Sequence, residues 1–329
     1  MAISGDTLTL IVPVFNEEEA VPRFLEEISA KLAGLDAALE ILFIDDGSKD
    51  RTFEVIREAA AKDARVRYIK LSRNFGKEIA LTAGLELARG DAVVPMDVDL
   101  QDPPELILEF VRLWRQGYKT VYGARRRRDT DSFMKRMTAG GFYRVFNAVA
   151  DMRIPEDAGD FRLIDREVVE VIRQLPERTR FMKGLFSWAG FSTIGVPYDR
   201  PAREVGTTSF NYRKLFRFAM DGITSFSTLP LRVWSAFGAV MALASLGYML
   251  IVVVRTLVFG VDWPGYASLM SAVLFFGSVQ LISVGVLGEY IGRIYFETKR
   301  RPLYVVETSN IGASAIRAAD PSGSGRTAA

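Results

Sequence analysis

The stretch that decides the fold is Val93-Val94-Pro95-Met96-Asp97-Val98-Asp99-Leu100-Gln101-Asp102-Pro103-Pro104-Glu105. A short β-branched run ends in two carboxylates one residue apart, and a Pro-Pro-Glu step follows that can open a helix. In a strand, residues i and i+2 point to one side, so Asp97 and Asp99 could grip one hard cation, Mg²⁺ or Mn²⁺, between them. Alone, an Asp-x-Asp is more often a pair of solvated acids before a turn, and the rest of the chain has to choose between the two readings.

Working outward, Leu8 to Val14 reads as a first strand ended by Phe15-Asn16-Glu17, and Glu18 to Leu32 has helical spacing with Ala20, Phe24, Ile28 and Leu32 on one face. Leu39 to Ile44 is a second strand closed by Asp45-Asp46-Gly47-Ser48. Thr52 to Ala61 is helical, Val66 to Leu71 a third strand, Glu78 to Ala88 a third helix, and Ala92 to Met96 the fourth strand. Strand and helix alternating at this spacing predict an α/β fold, a Rossmann-like and mostly parallel sheet covered on both faces. Ligands of such sheets sit outside the carboxyl ends of the strands, where Asn16-Glu17, Asp45-Asp46 and Asp97-Asp99 all fall. There is no Gly-x-Gly-x-x-Gly after the first strand and no Walker sequence, which argues against a dinucleotide dehydrogenase and a P-loop enzyme.

Composition narrows the chemistry. The 329 residues contain no Cys and no His, so a disulfide framework, a zinc-thiolate site and His-based triads are excluded. Acid-base work falls to Asp, Glu, Lys or Tyr. A net charge of +2 gives no argument for nucleic acid. The positive mean hydropathy, +0.12, points to membrane. Met1 to Asp6 carries no basic run and the following apolar run is only strand-length, so no signal peptide is expected and the catalytic part is expected in the cytosol.

Pro13-Val14-Phe15-Asn16-Glu17, Asp45-Asp46-Gly47-Ser48 and Asp97-Val98-Asp99-Leu100-Gln101-Asp102-Pro103-Pro104-Glu105 together resemble the family-2 glycosyltransferases of GT-A fold. The nearest branch is that of the polyprenyl-phosphate glycosyltransferases, dolichyl-phosphate mannose synthase-like and GtrB-like, and the resemblance runs from about Leu8 to about Val306. It implies that Asp45 and Asp46 bind the base and ribose of a nucleotide sugar, that Pro13 and Glu17 line the nucleoside pocket, and that Asp97 and Asp99 bind the metal and diphosphate. It also implies that Asp160, in Asp157-Ala158-Gly159-Asp160-Phe161-Arg162, is the acid on the acceptor side, with Arg162 nearby. Arg200, Arg203 and Ser209, the last in Gly206-Thr207-Thr208-Ser209, resemble the basic loop that meets the acceptor phosphate. An ordinary polar turn is an equal reading of that loop.

The run Gly123-Ala124-Arg125-Arg126-Arg127-Arg128 is either a solvated basic loop or a clamp for phosphate. Arg125 follows a predicted strand directly and is expected to point inward. Ser132 to Val149 is expected to be helical. A phosphate monoester has a second pKa near ~6 and is largely dianionic at neutral pH, so Asp160 is expected to orient the acceptor more than to deprotonate it.

From Asn211 the character changes. Tyr212, Leu215, Ala219, Ile223 and Phe226 recur at helical spacing with Arg213, Lys214 and Arg217 on other faces, a basic amphipathic helix for a membrane interface. Val233 to Phe259 and Tyr266 to Ile291 are each long enough to cross a bilayer core. Basic residues flank the outer ends of both spans, so the catalytic domain and both termini are expected on the cytoplasmic side of the inner membrane. Glu289 and Arg293 can pair, which leaves an intramembrane functional acid and an anchoring ion pair both open. Gly288 and Gly292 form a small-residue step for close helix contact, within the hairpin or between copies of a homo-oligomer.

The expected organisation is a GT-A domain over 1–209, an amphipathic segment over 210–232, two transmembrane helices within 233–292, a return segment over 293–308 with a short strand at Pro302 to Val306, and a disordered tail over 309–329. The expected activity is inverting transfer of a hexose, best UDP-glucose, to undecaprenyl phosphate. Other donors (UDP-GlcNAc, UDP-galactose, a uronic acid, an aminoarabinose derivative, GDP-mannose) share these motifs. Of the rival classes, a processive polysaccharide synthase would require a Gln-x-x-Arg-Trp sequence that is absent here, and a non-enzymatic nucleotide-binding membrane protein would tolerate loss of Asp97 and Asp99.

Overall fold

The computed structural model describes residues 5–125, 158–175, 177–178, 180, 182–199, 229–260 and 265–312. They fall into two compact units, one holding everything up to Asp199 together with the segment from Arg301 onward, the other holding two long helices.

In the first unit the strands are β1 (Thr7–Val14), β2 (Ala38–Asp45), β3 (Val66–Leu71), β4 (Ala92–Pro95), β5 (Thr120–Arg125), β6 (Ala158–Asp165), β7 (Thr193–Tyr198) and β8 (Val306–Ser309). Its helices are α1 (Ala20–Lys31), α2 (Thr52–Lys62), α3 (Lys77–Leu87), α4 (Leu106–Trp114), α5 (Arg166–Gln174) and α6 (Met182–Trp188). One sheet runs β7-β5-β6-β4-β1-β2-β3-β8. The pairs β4–β1, β1–β2, β2–β3 and β5–β7 are parallel, as right-handed crossovers through helices dictate. The strands β6 and β8 run against their neighbours, so the sheet is mixed.

The central strands are buried on both faces, which is why β1 and β2 read as unbroken apolar runs. Phe24 of α1 packs edge-on against Phe43 of β2 with centroids 5.9 Å apart, and Phe110 of α4 meets Phe161 of β6 at 5.0 Å. On the other face Gly84 lets α3 lie on β1: a Cβ there would come within 2.2 Å of Ile11 Cγ2.

Two expectations about the chain ends of this unit change. The return strand is Val306–Ser309, later than the expected Pro302 to Val306, and pairs antiparallel with β3. The boundary expected at Ser309 falls inside ordered structure. Asn310 accepts the Tyr68 N–H at 2.8 Å, and Ile311 is buried with its carbonyl held by Arg89 at 3.0 Å. The edge of β3 needs backbone partners, and these residues supply them.

In the second unit α7 (Leu229–Phe259) and α8 (Tyr266–Thr298) each have the length and apolarity to cross a membrane over Val233–Phe259 and Ser268–Thr298. Their large side chains face outward, Leu257 81% and Leu281 74% exposed, the reverse of a soluble core helix. Ser245, Ser278 and Ser283 each donate their hydroxyl to the carbonyl four residues back, so those groups are satisfied within the helix. α8 runs to Thr298, past the expected end at Ile291. Glu289 and Arg293 pair at 3.3 Å. A Cβ on Gly288 or Gly292 would meet nothing within 4 Å among the described residues. The expected helix at Ser132 to Val149, the amphipathic segment at 210–228 and the tail from residue 313 lie outside the described residues.

Candidate active site

The ends of β1, β2, β4 and β7, the start of β6 and the starts of α3 and α6 carry the side chains of this edge of the sheet. The turn after β1 is tied to the turn after β2: Asn16 accepts the Lys49 N–H at 2.8 Å, Ser48 accepts the Asn16 N–H at 3.0 Å, and Thr52 accepts the Glu17 N–H at 2.7 Å. Asn16 sits at φ 56°, a left-handed conformation that Asn adopts more readily than most residues. Glu17 is thereby aimed at the end of β4. Burial first, then the charges of Asp99, Asp50 and Asp97, raise its pKa.

The two acids after β2 have different surroundings. Asp46 takes the Phe75 N–H on one oxygen at 2.7 Å and the Gly76 N–H on the other at 2.8 Å, so it fixes the loop between β3 and α3. Gly47, at φ 72°, lies against the same loop, where a Cβ would meet the Arg73 carbonyl carbon at 2.5 Å. Asp45 accepts the Ser48 N–H at 2.9 Å with one oxygen, while Oδ2 is buried without a hydrogen-bond partner among the described residues. Burial raises the pKa of both acids. An unpaired buried acceptor at a sheet edge is costly unless a ligand supplies the donor, so Asp45 rather than Asp46 is the one poised to meet a nucleobase N–H.

The Asp-x-Asp pair stands just beyond β4 instead of within it. The strand ends at Pro95, and the chain turns through Leu100 at φ 54°. The alternation argument for Asp97 and Asp99 therefore gives way to a turn in which Val98 is buried in the core and Asp99 is exposed. Asp102 closes that turn by accepting the Tyr198 hydroxyl at the end of β7.

Lys77, the first residue of α3, contacts both Asp97 oxygens, at 2.6 and 2.8 Å, and lies 3.8 Å from Asp160. Burial works against its ammonium, but Asp97 and then Asp160 outweigh this and raise its pKa. Lys183 of α6 lies 3.8 Å from the other oxygen of Asp160. Glu78, which accepts the Met182 N–H at 3.3 Å, has its pKa raised to about 6 by burial first and then by Asp160. Pro13, Lys77, Asp97, Asp102 and Asp160 line one small cleft.

The structure thus brings Pro13, Glu17, Asp45, Asp97, Asp99 and Asp160 to one edge. Arg162 does not face the cleft. It is buried, donates to the Gly159 carbonyl at 2.7 Å and stacks on Phe186 at 4.5 Å, because β6 carries it beneath α6. That burial does not match the expectation that it meets an acceptor phosphate. Arg125 ends β5 in register with Tyr198. Arg200, Arg203 and Ser209 lie outside the described residues. Lys77, Glu78 and Lys183 went unread in the sequence. For Lys77 and Glu78 the signal was there, since they follow the third strand end as Asn16-Glu17 and Asp45-Asp46 follow the first two. Lys183 carried none.

Asp97 and Asp99 are hard oxygen donors with excess negative charge around them, felt at Glu17, and this donor set fits a divalent cation. Among the described residues no group of three or more such ligands occurs, so phosphate and water oxygens would complete the shell.

Residues 9–173 match the family described as Glycosyl transferase family 2, and residues 229–294 match the GtrB C-terminal hairpin. The chain is 50% identical over 299 residues to an uncharacterized glycosyltransferase of Synechocystis sp., covering 91% of this chain and 94% of that one. It is 50% identical over 305 residues to the bactoprenol glucosyl transferase of Shigella phage SfII, covering 93% and 99%. To an uncharacterized glycosyltransferase of Bacillus subtilis it is 44% identical over 301 residues, covering 92% and 93%. With the mixed sheet, the acidic strand ends and the apolar helix pair already in place, the chain belongs to glycosyl transferase family 2, a GT-A fold carrying the GtrB C-terminal hairpin.

Proposed function

We propose that this protein transfers glucose from UDP-glucose to a polyprenyl phosphate, undecaprenyl phosphate in the first instance, with inversion at the anomeric carbon. The observation that carries the reading is the single cleft in which Asp97 and Asp160 face each other across Lys77. The name of the phage SfII relative, alike over nearly its whole length, supplies lipid and sugar.

Asp45, with its unpaired Oδ2, receives an imide N–H of uracil, and Pro13 and Glu17 border the nucleoside. Asp97 and Asp99 would hold Mg²⁺ or Mn²⁺, which when bound supplies Lewis-acid charge at the diphosphate. An oxygen of the acceptor phosphate forms the new bond to the sugar C1 as the bond from C1 to the donor diphosphate oxygen breaks, and UDP departs with that electron pair. The attacking phosphate needs no base at neutral pH, so Asp160 aligns it for attack from the face opposite the leaving group. Arg125, Arg200, Arg203 and Ser209 remain part of the proposal as partners of the charged substrates.

The hairpin places this chemistry at a membrane. Strand β8, after the hairpin, joins the sheet built from residues before it, so a chain that spans a bilayer here must cross an even number of times and return to the side it left. Basic residues at both flanks make that side cytoplasmic. The uncovered Gly288 and Gly292 step accommodates pairing between copies. The test uses purified protein in detergent with undecaprenyl phosphate and a panel of labelled UDP-sugars and GDP-mannose. Glucose alone should enter the lipid phase, with a β linkage by NMR from the α-configured donor; another sugar or a retained α linkage would overturn donor or stereochemistry.

A further inference from the structure

The scheme above gives no task to two cations beside Asp160, Lys77 in the wall of the cleft and Lys183 on the other side of that carboxylate. Lys77 begins α3 and Lys183 lies in the first turn of α6, elements from distant parts of the chain. Their ammonium groups flank one carboxylate, Lys77 at 3.8 Å from Asp160 Oδ2 and Lys183 at 3.8 Å from Asp160 Oδ1. Other lysine ion pairs of this domain range from contact, Lys119 to Glu167 at 2.9 Å and Lys70 to Glu307 at 3.0 Å, to the 4.0 Å of Lys31 and Glu105. A separation of 3.8 Å is too long for a hydrogen bond, which for N–H···O needs about 2.7–3.2 Å. Asp160 therefore attracts both ammonium groups without taking a hydrogen bond from either; of the three N–H donors on each ammonium, Lys77 directs its hydrogen bonding to Asp97 and keeps a donor for a further ligand.

Position adds to this. The lysine side chains are 48% and 26% exposed, open enough to meet a ligand, yet each is placed by a fixed element. Asp46 fixes Lys77 by holding Phe75 and Gly76 at the start of α3, and Glu78 ties the start of α6 to the same helix through the Met182 N–H. Lys77 and Lys183 offset the charges of Asp97 and Asp160, so the four side chains together do not repel an entering phosphate as two bare carboxylates would.

We propose that Lys77 and Lys183 bind the phosphate monoester of the acceptor, one ammonium on each side of it, with Asp160 holding the two in place before the lipid arrives. This rests on the polyprenyl phosphate acceptor proposed above and gives the two lysines the place that the family resemblance had offered Arg162. Two charge-assisted contacts offset the repulsion between the entering phosphate and Asp160.

The test titrates farnesyl phosphate into the full-length protein in detergent, without donor or metal, and follows binding by ³¹P NMR. Lys183→Met and Lys77→Met should each weaken binding roughly 10- to 100-fold, the size of a lost hydrogen bond to a charged group. Lys183→Arg should keep most of the affinity, and UDP binding in the presence of Mn²⁺ should be unchanged in Lys183→Met, which does not touch Asp97. Unchanged farnesyl phosphate affinity in Lys183→Met at unchanged melting temperature would overturn the assignment while leaving the acceptor in place. So would a loss appearing equally in UDP affinity. Failure of the wild-type protein to bind farnesyl phosphate would overturn the acceptor reading and the lysine pair together.

Discussion

Replacing Glu78 by Gln should stabilise the protein at neutral and alkaline pH and do little in acid. Glu78 is the second residue of α3, partly buried, and its pKa is raised from 4.5 to about 6, by burial first and by Asp160 next. A carboxyl that is less acidic in the folded chain than in the unfolded one binds its proton more tightly when folded. Its contribution is therefore most favourable below the unfolded value and is lost as pH rises through about 6. At about 1.4 kcal/mol per unit, the gap sets an upper limit of about 2 kcal/mol of destabilisation by the ionised form, and partial exposure trims it towards ~1 kcal/mol. Gln keeps an oxygen for the Met182 N–H, so little else is removed. For a domain of this size ~1 kcal/mol corresponds to roughly 2–4 °C in Tm. Thermal unfolding in detergent, followed by tryptophan fluorescence at pH 8 and again at pH 4.5, gives the comparison. A higher Tm for Glu78→Gln at pH 8 that vanishes at pH 4.5 is the expected result; equal Tm values at pH 8, or a larger gain in acid, would refute the electrostatic account of this cleft.

Asp160→Asn should lower turnover on the order of 10²-fold by misplacing the acceptor, while UDP affinity stays as in the wild type; calorimetry beside a rate assay separates the two. Gly47→Ala should cost roughly 1–3 kcal/mol, since it forces a side chain into a left-handed backbone already touching Arg73, and a denaturant midpoint reads the loss. Truncation after Arg301 removes β8 together with Asn310 and Ile311, baring the β3 edge, and should produce aggregation visible by size-exclusion chromatography with the hairpin intact.

The parts of the fold legible in the sequence were those set by local pattern. Apolar runs such as Leu8 to Val12 could only be central strands, and the acids at their ends marked the working edge. The reversed direction of β6 and the pairing of β8 were not legible, because a strand's partner depends on residues far away. The tail shows the limit of composition: Ala, Gly and Ser from residue 312 onward masked the anchoring of Asn310 and Ile311 just before them. Strand alternation does not set Asp97 and Asp99, which stand beyond the end of β4 in a turn around a buried Val98. Lys77 lay one residue before the expected third helix and gained its meaning only when the fold set it against Asp97, and Arg162 looked available until α6 covered it.

The central claim is that the acids at the end of β4 serve a metal-dependent transfer of sugar to a lipid phosphate. Its most direct measurement follows labelled glucose from UDP-glucose into undecaprenyl phosphate with Mn²⁺, for the wild type, Asp97→Asn and Asp99→Asn, each repeated in EDTA. The account predicts product from the wild type with metal and a loss of roughly two orders of magnitude or more in both variants and in EDTA. Lipid-linked glucose formed at the wild-type rate by either folded variant, or by the wild type in EDTA, would contradict it.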